Sequence, residues 1–121
     1  MNIVSLPTFD GGAVRLVEPS WCAGHADHVP CHRVDLSHTG TEHQLTLFDG
    51  NDLMRAMLSR YPCSTAPEQC RTGLYVEQGG YAATLDAEGV RRLAGTLTAH
   101  AMELRRLADR LAVLENEEAE S

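Results

Sequence analysis

The sequence predicts an α+β fold, with a small antiparallel sheet, a short helix and a long C-terminal amphipathic helix. Short stretches in the first two thirds of the chain alternate apolar and polar residues with period two, which is typical of half-buried strands. The last third instead repeats its apolar residues in heptads, which is typical of a long helix. The 121 residues suffice for one domain with an extension. We therefore expect a Cys/His-rich α+β domain over residues 1–85 and a coiled-coil-like helix with an acidic tail over residues 86–121.

Composition limits the classes of partner and the location of the protein. Apolar residues make up 43% of the chain and aromatic residues 5%, so the core must be built mainly from Leu, Val and Ala. A net charge of −7 argues against a nucleic-acid groove spread over the whole surface. The first residues have no signal-peptide pattern, and no apolar run reaches the length of a membrane span. These features predict a cytoplasmic protein, whose cysteines would be thiols or metal ligands and not disulfides.

The first half of the chain contains the weaker strand signals. Residues 1–12 end in an Asp-Gly-Gly sequence and predict a loose lead-in, whereas residues 13–17 alternate weakly and predict a strand. Residues 33–36 and 43–48 both alternate with period two around a polar turn. We therefore expect these two segments to pair as a hairpin.

Two further elements are predicted before the C-terminal helix. Apolar residues in 52–61 recur at helical spacing, Asn51 can cap a helix there, and Pro62 would end it. Residues 74–78 and 81–85 flank a Gly-Gly pair, which favours a hairpin.

The C-terminal helix has the clearest pattern in the sequence. Asp86 can cap a helix over residues 87–116, which would be about 45 Å long at the usual rise per residue. A domain this small cannot cover such a helix, so we expect its apolar stripe to pair with a second copy or with another helical protein. The predicted interface consists of Val90, Leu93, Leu97, His100, Leu104, Leu107, Leu111 and Leu114. The alternative is a single long helix that lies across the sheet, and the acidic tail that follows it is predicted to be frayed.

A Cys/His-rich segment is the strongest indication of chemistry. Cysteine thiolate and histidine imidazole are the ligands that zinc prefers, and they recur here at a three-residue step. Gly24 and Pro30 oppose a helix in this segment, which predicts a loop folded around an ion. The candidate zinc ligands are Cys22, His25, His28, Cys31 and His38.

Four ligands that follow one another every three residues cannot easily occupy the four corners of one tetrahedral zinc site. We therefore expect two or three ligands from residues 22–32 and the remainder from His38 or from the cysteines at 63 and 70. Cys22, His25 and His38 are the preferred set. The alternative is a segment without metal, in which Cys22 is buried beside a tryptophan and the histidines are exposed.

The sequence favours a protein that is not an enzyme. A site with three protein ligands would leave a position for water, and Asp27 or Asp35 would then be the available base. A cysteine nucleophile with a neighbouring histidine is the other catalytic arrangement considered. However, the chain contains no metalloprotease or deaminase motif.

The run Pro19-Ser20-Trp21-Cys22, followed by His25 and by His38-Thr39-Gly40, resembles a family of small uncharacterised proteins from actinobacteria or their phages. The opening of the predicted helix, from Leu85 to Ala94, is also similar to that family. The resemblance implies a short sheet followed by a C-terminal helix, and it implies no activity. Members carry a cysteine just before the proline, where this chain has Glu18, so a metal site that uses this cysteine would be altered here. The absence of lysine is consistent with such a GC-rich source.

Together these patterns predict a non-catalytic, zinc-stabilised interaction or regulatory module that dimerises or binds a partner through its C-terminal helix. Zinc would supplement the small core that a few short strands can build. Two other classes remain open. One is a DNA-associated transcriptional regulator in which a local arginine cluster contacts phosphate, and the other is a small zinc-dependent hydrolase.

Overall fold

The structure, a computed structural model, describes residues 2–120. Met1 and Ser121, the ends of the two predicted regions, lie outside the described residues. Within them the chain forms two compact units, each built from separate stretches of sequence. The first unit comprises residues 2–41 and 57–73, and the second comprises residues 42–56 and 74–120. The predicted α+β class is confirmed: small antiparallel sheets are followed by one long helix.

The first unit begins with a two-stranded antiparallel hairpin. Strand β1 (Asn2–Pro7) pairs along its whole length with β2 (Ala13–Glu18). The strand predicted at 13–17 is thus confirmed. The loose lead-in predicted over residues 1–12 is wrong, because Leu6 is buried and the pairing with β2 satisfies the backbone of this segment.

The segment predicted as a short helix is a strand. Strand β5 (Asp52–Arg60) pairs with β3 (His38–Thr39), β4 (His43–Thr46) and β6 (Gly73–Gln78). Its Leu, Met, Ala and Arg residues have good helical propensity, but strand pairing and the burial of alternate residues outweigh that weak preference. The boundary between the two units falls inside β5.

Both predicted hairpins are also wrong. Residues 33–35 form a 3-10 turn, and β4 pairs with β5. Residues 79–86 contain no strand, and β6 pairs with β5. Gly79 is explained by close packing and not by a hairpin turn, since a Cβ atom there would lie 2.6 Å from the carbonyl oxygen of Asp52.

The second unit contains the helix α1 (Ala87–Glu120), which confirms the predicted C-terminal helix. Asp86 caps it by accepting a 2.8 Å hydrogen bond from the backbone N–H of Gly89. The helix continues through the acidic tail that was predicted to be frayed, and its 34 residues span about 51 Å. Among the described residues, no helix is both long enough and apolar enough to cross a membrane.

One side of α1 packs within the second unit. His100 and Leu107 are buried, and Nε2 of His100 lies 3.3 Å from the sulfur of Met54 on β5. Nδ1 of His43 on β4 lies 3.5 Å from a carboxylate oxygen of Glu103. Two members of the predicted partner stripe, His100 and Leu107, are therefore core residues of their own chain.

The remaining stripe residues differ in exposure. Half-buried positions are Leu93, Leu104, Leu111 and Leu114, whereas Val90 and Leu97 are exposed. Packing of the helix within its own unit accounts for the buried and half-buried residues of the predicted stripe. Pairing of the exposed residues with a partner helix stays a prediction.

Candidate metal centre

Four side chains of the first unit converge on one point, and we call them the ligand cluster. Its members are Glu18, Cys22, His25 and His38. Each offers one atom of a type that binds metals, and these four atoms all lie within 4.8 Å of one another. Ligand atoms bound to one zinc ion lie no more than about 4.5 Å apart, so a small further approach of these four side chains would place an ion among them.

The chain between β2 and β3 is folded by short backbone hydrogen bonds that bring the ligands together. Glu18 is the last residue of β2, and the N–H of Cys22 then donates to the carbonyl of Pro19 at 3.1 Å. The N–H of Ala23 donates to the carbonyl of Thr39 at 2.9 Å, which joins the loop to β3. Cys22 and Glu18 therefore face His38 from a loop fixed at both ends.

Gly24 allows the loop to turn directly after Cys22. Its φ of +103° lies in a region that residues with a Cβ rarely adopt. In this conformation its N–H donates to the sulfur of Cys22 at 3.4 Å. A backbone N–H directed at a cysteine sulfur favours the thiolate form, which is the form that binds metals.

His38 forms the inner wall of the cluster. It lies on β3, opposite Arg60 of β5, and only 1% of its surface is exposed. The buried ring of Trp21 meets it edge to face, with centroids 6.5 Å apart, and the His25 ring lies 5.4 Å away. Gly40 permits this packing, because a Cβ there would lie 3.3 Å from the Trp21 carbonyl oxygen.

Two buried polar atoms of the cluster lack hydrogen-bond partners, although Sγ of Cys22 and Nε2 of His25 form a hydrogen bond of 3.6 Å within it. Oε1 of Glu18 lies 2.9 Å from Nε2 of His25, an ion-pair distance, yet it has no partner in hydrogen-bond geometry. Nδ1 of His38 is also buried without a hydrogen-bond partner. Buried atoms of this kind are costly unless something binds them, and a cation would satisfy both lone pairs.

Burial sets the protonation of two cluster members. It raises the pKa of the Cys22 thiol, and the neighbouring Glu18 raises it further, against the lowering effect of the Gly24 N–H. Burial also lowers the pKa of His38, and the positive charge on a protonated His25 lowers it too. His38 is therefore neutral near pH 7 and has a lone pair for a metal. The Cys22 thiol would release its proton to solvent on binding a cation.

The structure brings together three of the five predicted ligands, Cys22, His25 and His38, which were the preferred set. The other two lie elsewhere. His28 donates from Nε2 to the carbonyl of Pro7 at 3.0 Å, and Cys31 forms a backbone bridge to Thr8. Both of them tie the loop to the end of β1.

The cysteines considered as spare ligands are likewise outside the cluster. Cys70 donates to the carbonyl of Ser64 at 3.2 Å, within a turn of its own. Like Cys22 and Cys31, Cys63 and Cys70 are free thiols.

Glu18 was missed by the sequence analysis, which considered only cysteine and histidine as ligands. The signal was present, because the resemblance placed Glu18 at a position where relatives carry a cysteine. A carboxylate is also a common zinc ligand, and at the end of β2 it lies four residues before Cys22.

An open cleft of about 370 Å³ lies beside the cluster. His25 lines it, together with Asp27 and Asp35, the two carboxylates considered as a catalytic base. Both carboxylates are exposed and belong to no group of three or more metal-binding residues within the described range. The cleft therefore gives solvent a path to the His25 side of the cluster.

Comparison with known proteins identifies the family but no relative of known activity. No curated protein and no solved structure is significantly similar to the chain. Residues 3–113, nearly the whole sequence, match a family that is described as a domain of unknown function. The chain therefore belongs to the DUF6907 family.

Proposed function

We propose that this protein is a non-catalytic, zinc-stabilised interaction module, in which the ligand cluster binds one structural zinc ion. The observation that supports this proposal is the convergence of four ligand atoms within 4.8 Å, in a cluster where Glu18 and His38 each carry a buried polar atom without a hydrogen-bond partner. One thiolate, two imidazoles and one carboxylate form a set that suits zinc in geometry and in softness. A reducing compartment such as the cytoplasm would keep Cys22 available as a ligand.

The number of protein ligands favours a structural role over a catalytic one. Structural zinc sites are closed by four protein ligands, whereas catalytic sites keep one position for water. The cluster supplies four, and the carboxylates of Asp27 and Asp35 are not among them. The zinc would instead join the end of β2 to β3 and so add folding free energy to a unit with a small apolar core.

A nucleic-acid-binding role has less support from the charges on α1. Arg91 and Arg92 lie 4.0 and 3.6 Å from the carboxylate of Glu88, and Arg106 pairs with Glu103. Exposed arginines that are interleaved with carboxylates in this way offer little attraction to phosphate. The exposed edge of α1 is better suited to another protein helix.

Elemental analysis of two matched cysteine variants tests the zinc proposal. Purified without added metal, the wild type should contain about one zinc ion per chain, and Cys22→Ser should lose it, since a hydroxyl replaces a thiolate ligand. Cys31→Ser is the matched control, because Cys31 lies in the same loop but outside the ligand cluster, and it should retain the metal.

The corresponding histidine pair gives a second test. His25→Ala should lose the zinc and His28→Ala should retain it, because only the first ring lies in the ligand cluster. Metal-free wild-type protein, or equal metal content in the two members of either pair, would overturn the proposed site.

A further inference from the structure

The outer edge of α1 carries a regular alternation of large and small apolar residues, which we call the Leu/Ala stripe. It consists of Val90, Ala94, Leu97, Ala101, Leu104, Ala108 and Leu111. Successive members are four and three residues apart in turn, so they follow one face of the helix. The stripe runs beside the side that His100 and Leu107 bury.

Most of the stripe is open to solvent. Val90 and Leu97 are 52% and 44% exposed, and the three alanines are exposed as well. Leu104 and Leu111 are half-buried at the border with the inner side of the helix. From Val90 to Leu111 the stripe is about 32 Å long, which is enough for several layers of a two-helix interface.

We infer that the partner of this stripe is a second copy of the chain, whose α1 packs against it in the antiparallel direction. The inference deepens the proposed interaction role and rests on it, since it names the surface and the partner of the module. The surface differs from the stripe predicted from sequence, because it uses alanines that the prediction omitted. It leaves out the buried His100 and Leu107 and the half-buried Leu93 and Leu114.

The alternation of volumes selects the antiparallel direction. In a parallel pair, equivalent positions face each other, so Leu97 would meet Leu97 and Ala101 would meet Ala101, giving overfilled layers next to empty ones. In an antiparallel pair, the two kinds of position face each other, so each layer contains one large and one small side chain. Leu97 would then face Ala108 of the second copy, and Ala101 would face Leu104 of that copy.

The same alternation identifies a second copy as the partner, because the stripe is complementary to itself. Reversed end to end about the midpoint between Ala101 and Leu104, it places a small residue opposite each large one from Ala94 to Leu111.

A pair of matched alanine variants tests the surface. Light scattering of the full-length chain at high micromolar concentration should give the mass of a dimer. Ala101→Glu places a charge in the interface and should raise the dimer dissociation constant by about 30-fold or more. Ala99→Glu is the control, because Ala99 is exposed on another face of the same helix turn, and it should change the constant by less than about 3-fold. A monomeric wild type, or equal effects of the two variants, would overturn the inference.

A swap of residue sizes tests the direction. Leu97→Ala alone and Ala108→Leu alone should each weaken the dimer, whereas the double variant restores one large and one small residue in every antiparallel layer. We expect the double variant to bind within about 3-fold of the wild type. The control swap, Leu97→Ala with Ala101→Leu, changes two different layers and should not recover. Additive effects in the first pair would overturn the antiparallel arrangement.

Zinc content measured on the same samples keeps the two proposals separate. The stripe variants lie outside the first unit and should retain the metal, whereas Cys22→Ser should lose it. A dimer without zinc in the wild type would refute the metal site alone, and a zinc-containing monomer would refute the dimer alone.

Discussion

Each unit of this protein buries one histidine, and the surroundings of the two rings differ. His38 in the first unit is fully buried, and its Nδ1 has no hydrogen-bond partner, although three other metal-binding groups lie close by. His100 in the second unit is 8% exposed and lies on the inner side of α1, where Nε2 approaches the sulfur of Met54. The residue type and the burial are similar, and only the neighbours differ.

The comparison teaches that convergence of lone pairs, and not burial, distinguishes a candidate ligand from a core histidine. Around His38, a carboxylate, a thiol and a second imidazole share one centre, so adding a cation removes several unfavourable contacts at once. Around His100, a thioether provides a weak partner, and among the described residues His100 belongs to no group of three or more metal-binding side chains. The first unit should therefore depend on metal, and the second should not.

Removing the metal should reduce stability more than any single substitution. If both units lost stability alike, the proposed difference between the surroundings of His38 and His100 would be wrong. We expect a strong chelator to unfold the first unit, because structural zinc contributes about 10 kcal/mol or more in small zinc domains. Hydrogen exchange followed by mass spectrometry should lose protection in residues 2–41 and 57–73 while α1 stays protected. Unchanged exchange in the first unit would contradict the prediction.

His38→Ala should have the next largest effect. It removes one ligand and leaves a cavity behind Trp21, so we expect zinc to bind more weakly and the free energy of unfolding, measured with excess zinc, to fall by about 3–5 kcal/mol. Urea unfolding followed by tryptophan fluorescence reports on this site directly, since Trp21 is the single tryptophan in the chain. A stable variant that keeps its zinc would show that His38 is an ordinary core residue.

Glu18→Gln should have a smaller effect that isolates the charge of the carboxylate. The amide has nearly the same shape but no negative charge. Mutation of a residue that merely supports a metal ligand typically lowers affinity about 10-fold or more, so replacing the ligand itself should lower zinc affinity by at least that factor. Competition with a chromogenic chelator measures the change. Glu68→Gln, in an exposed turn of the same unit, is the control and should leave the affinity unchanged.

His100→Leu should have the smallest effect. An apolar side chain of similar size replaces a ring whose partner is a thioether, so the free energy of unfolding should change by less than about 1.5 kcal/mol, with zinc content unchanged. Urea unfolding followed by helical circular dichroism measures it, since α1 is the only α-helix in the described residues. Destabilisation as large as that of His38→Ala would erase the distinction between the two histidines.

The sequence predicted those features of the fold that depend on local pattern. Helix α1 carries several heptads with an Asp86 cap, and its position follows from that signal alone. Strand β2 was likewise predicted from its alternation. The wrong short-helix and hairpin predictions concern β5, whose composition favours a helix and whose partners include strands distant in sequence, whereas the lead-in prediction failed because β1 pairs with β2. Tertiary pairing outweighed local propensity there. Both predicted hairpins failed because β4 and β6 pair with β5, while residues 33–35 and 79–86 form no strand.

The candidate site was predictable to the extent that its ligands are close in sequence. Cys22 and His25 share one loop, and His38 follows it, so a search for cysteine and histidine finds all three. The same search also selects His28 and Cys31, because spacing cannot indicate that their groups bind to the end of β1 instead. Carboxylates are abundant in this acidic chain, so residue type alone does not select Glu18. Its selection requires knowing that β2 ends at Glu18, directly before the loop that contains Cys22.

The interleaving of the two units restricts how the protein can be dissected. Each unit is built from two stretches of chain, and the stretches alternate, so the chain crosses from one unit to the other three times. No single cut of the polypeptide can therefore release either unit whole. A fragment that ends before residue 57 would retain all four ligand residues but would lack the partner strand of His38. Separate expression of either unit would instead require the excision of an internal segment, residues 42–56 for the first unit or 57–73 for the second.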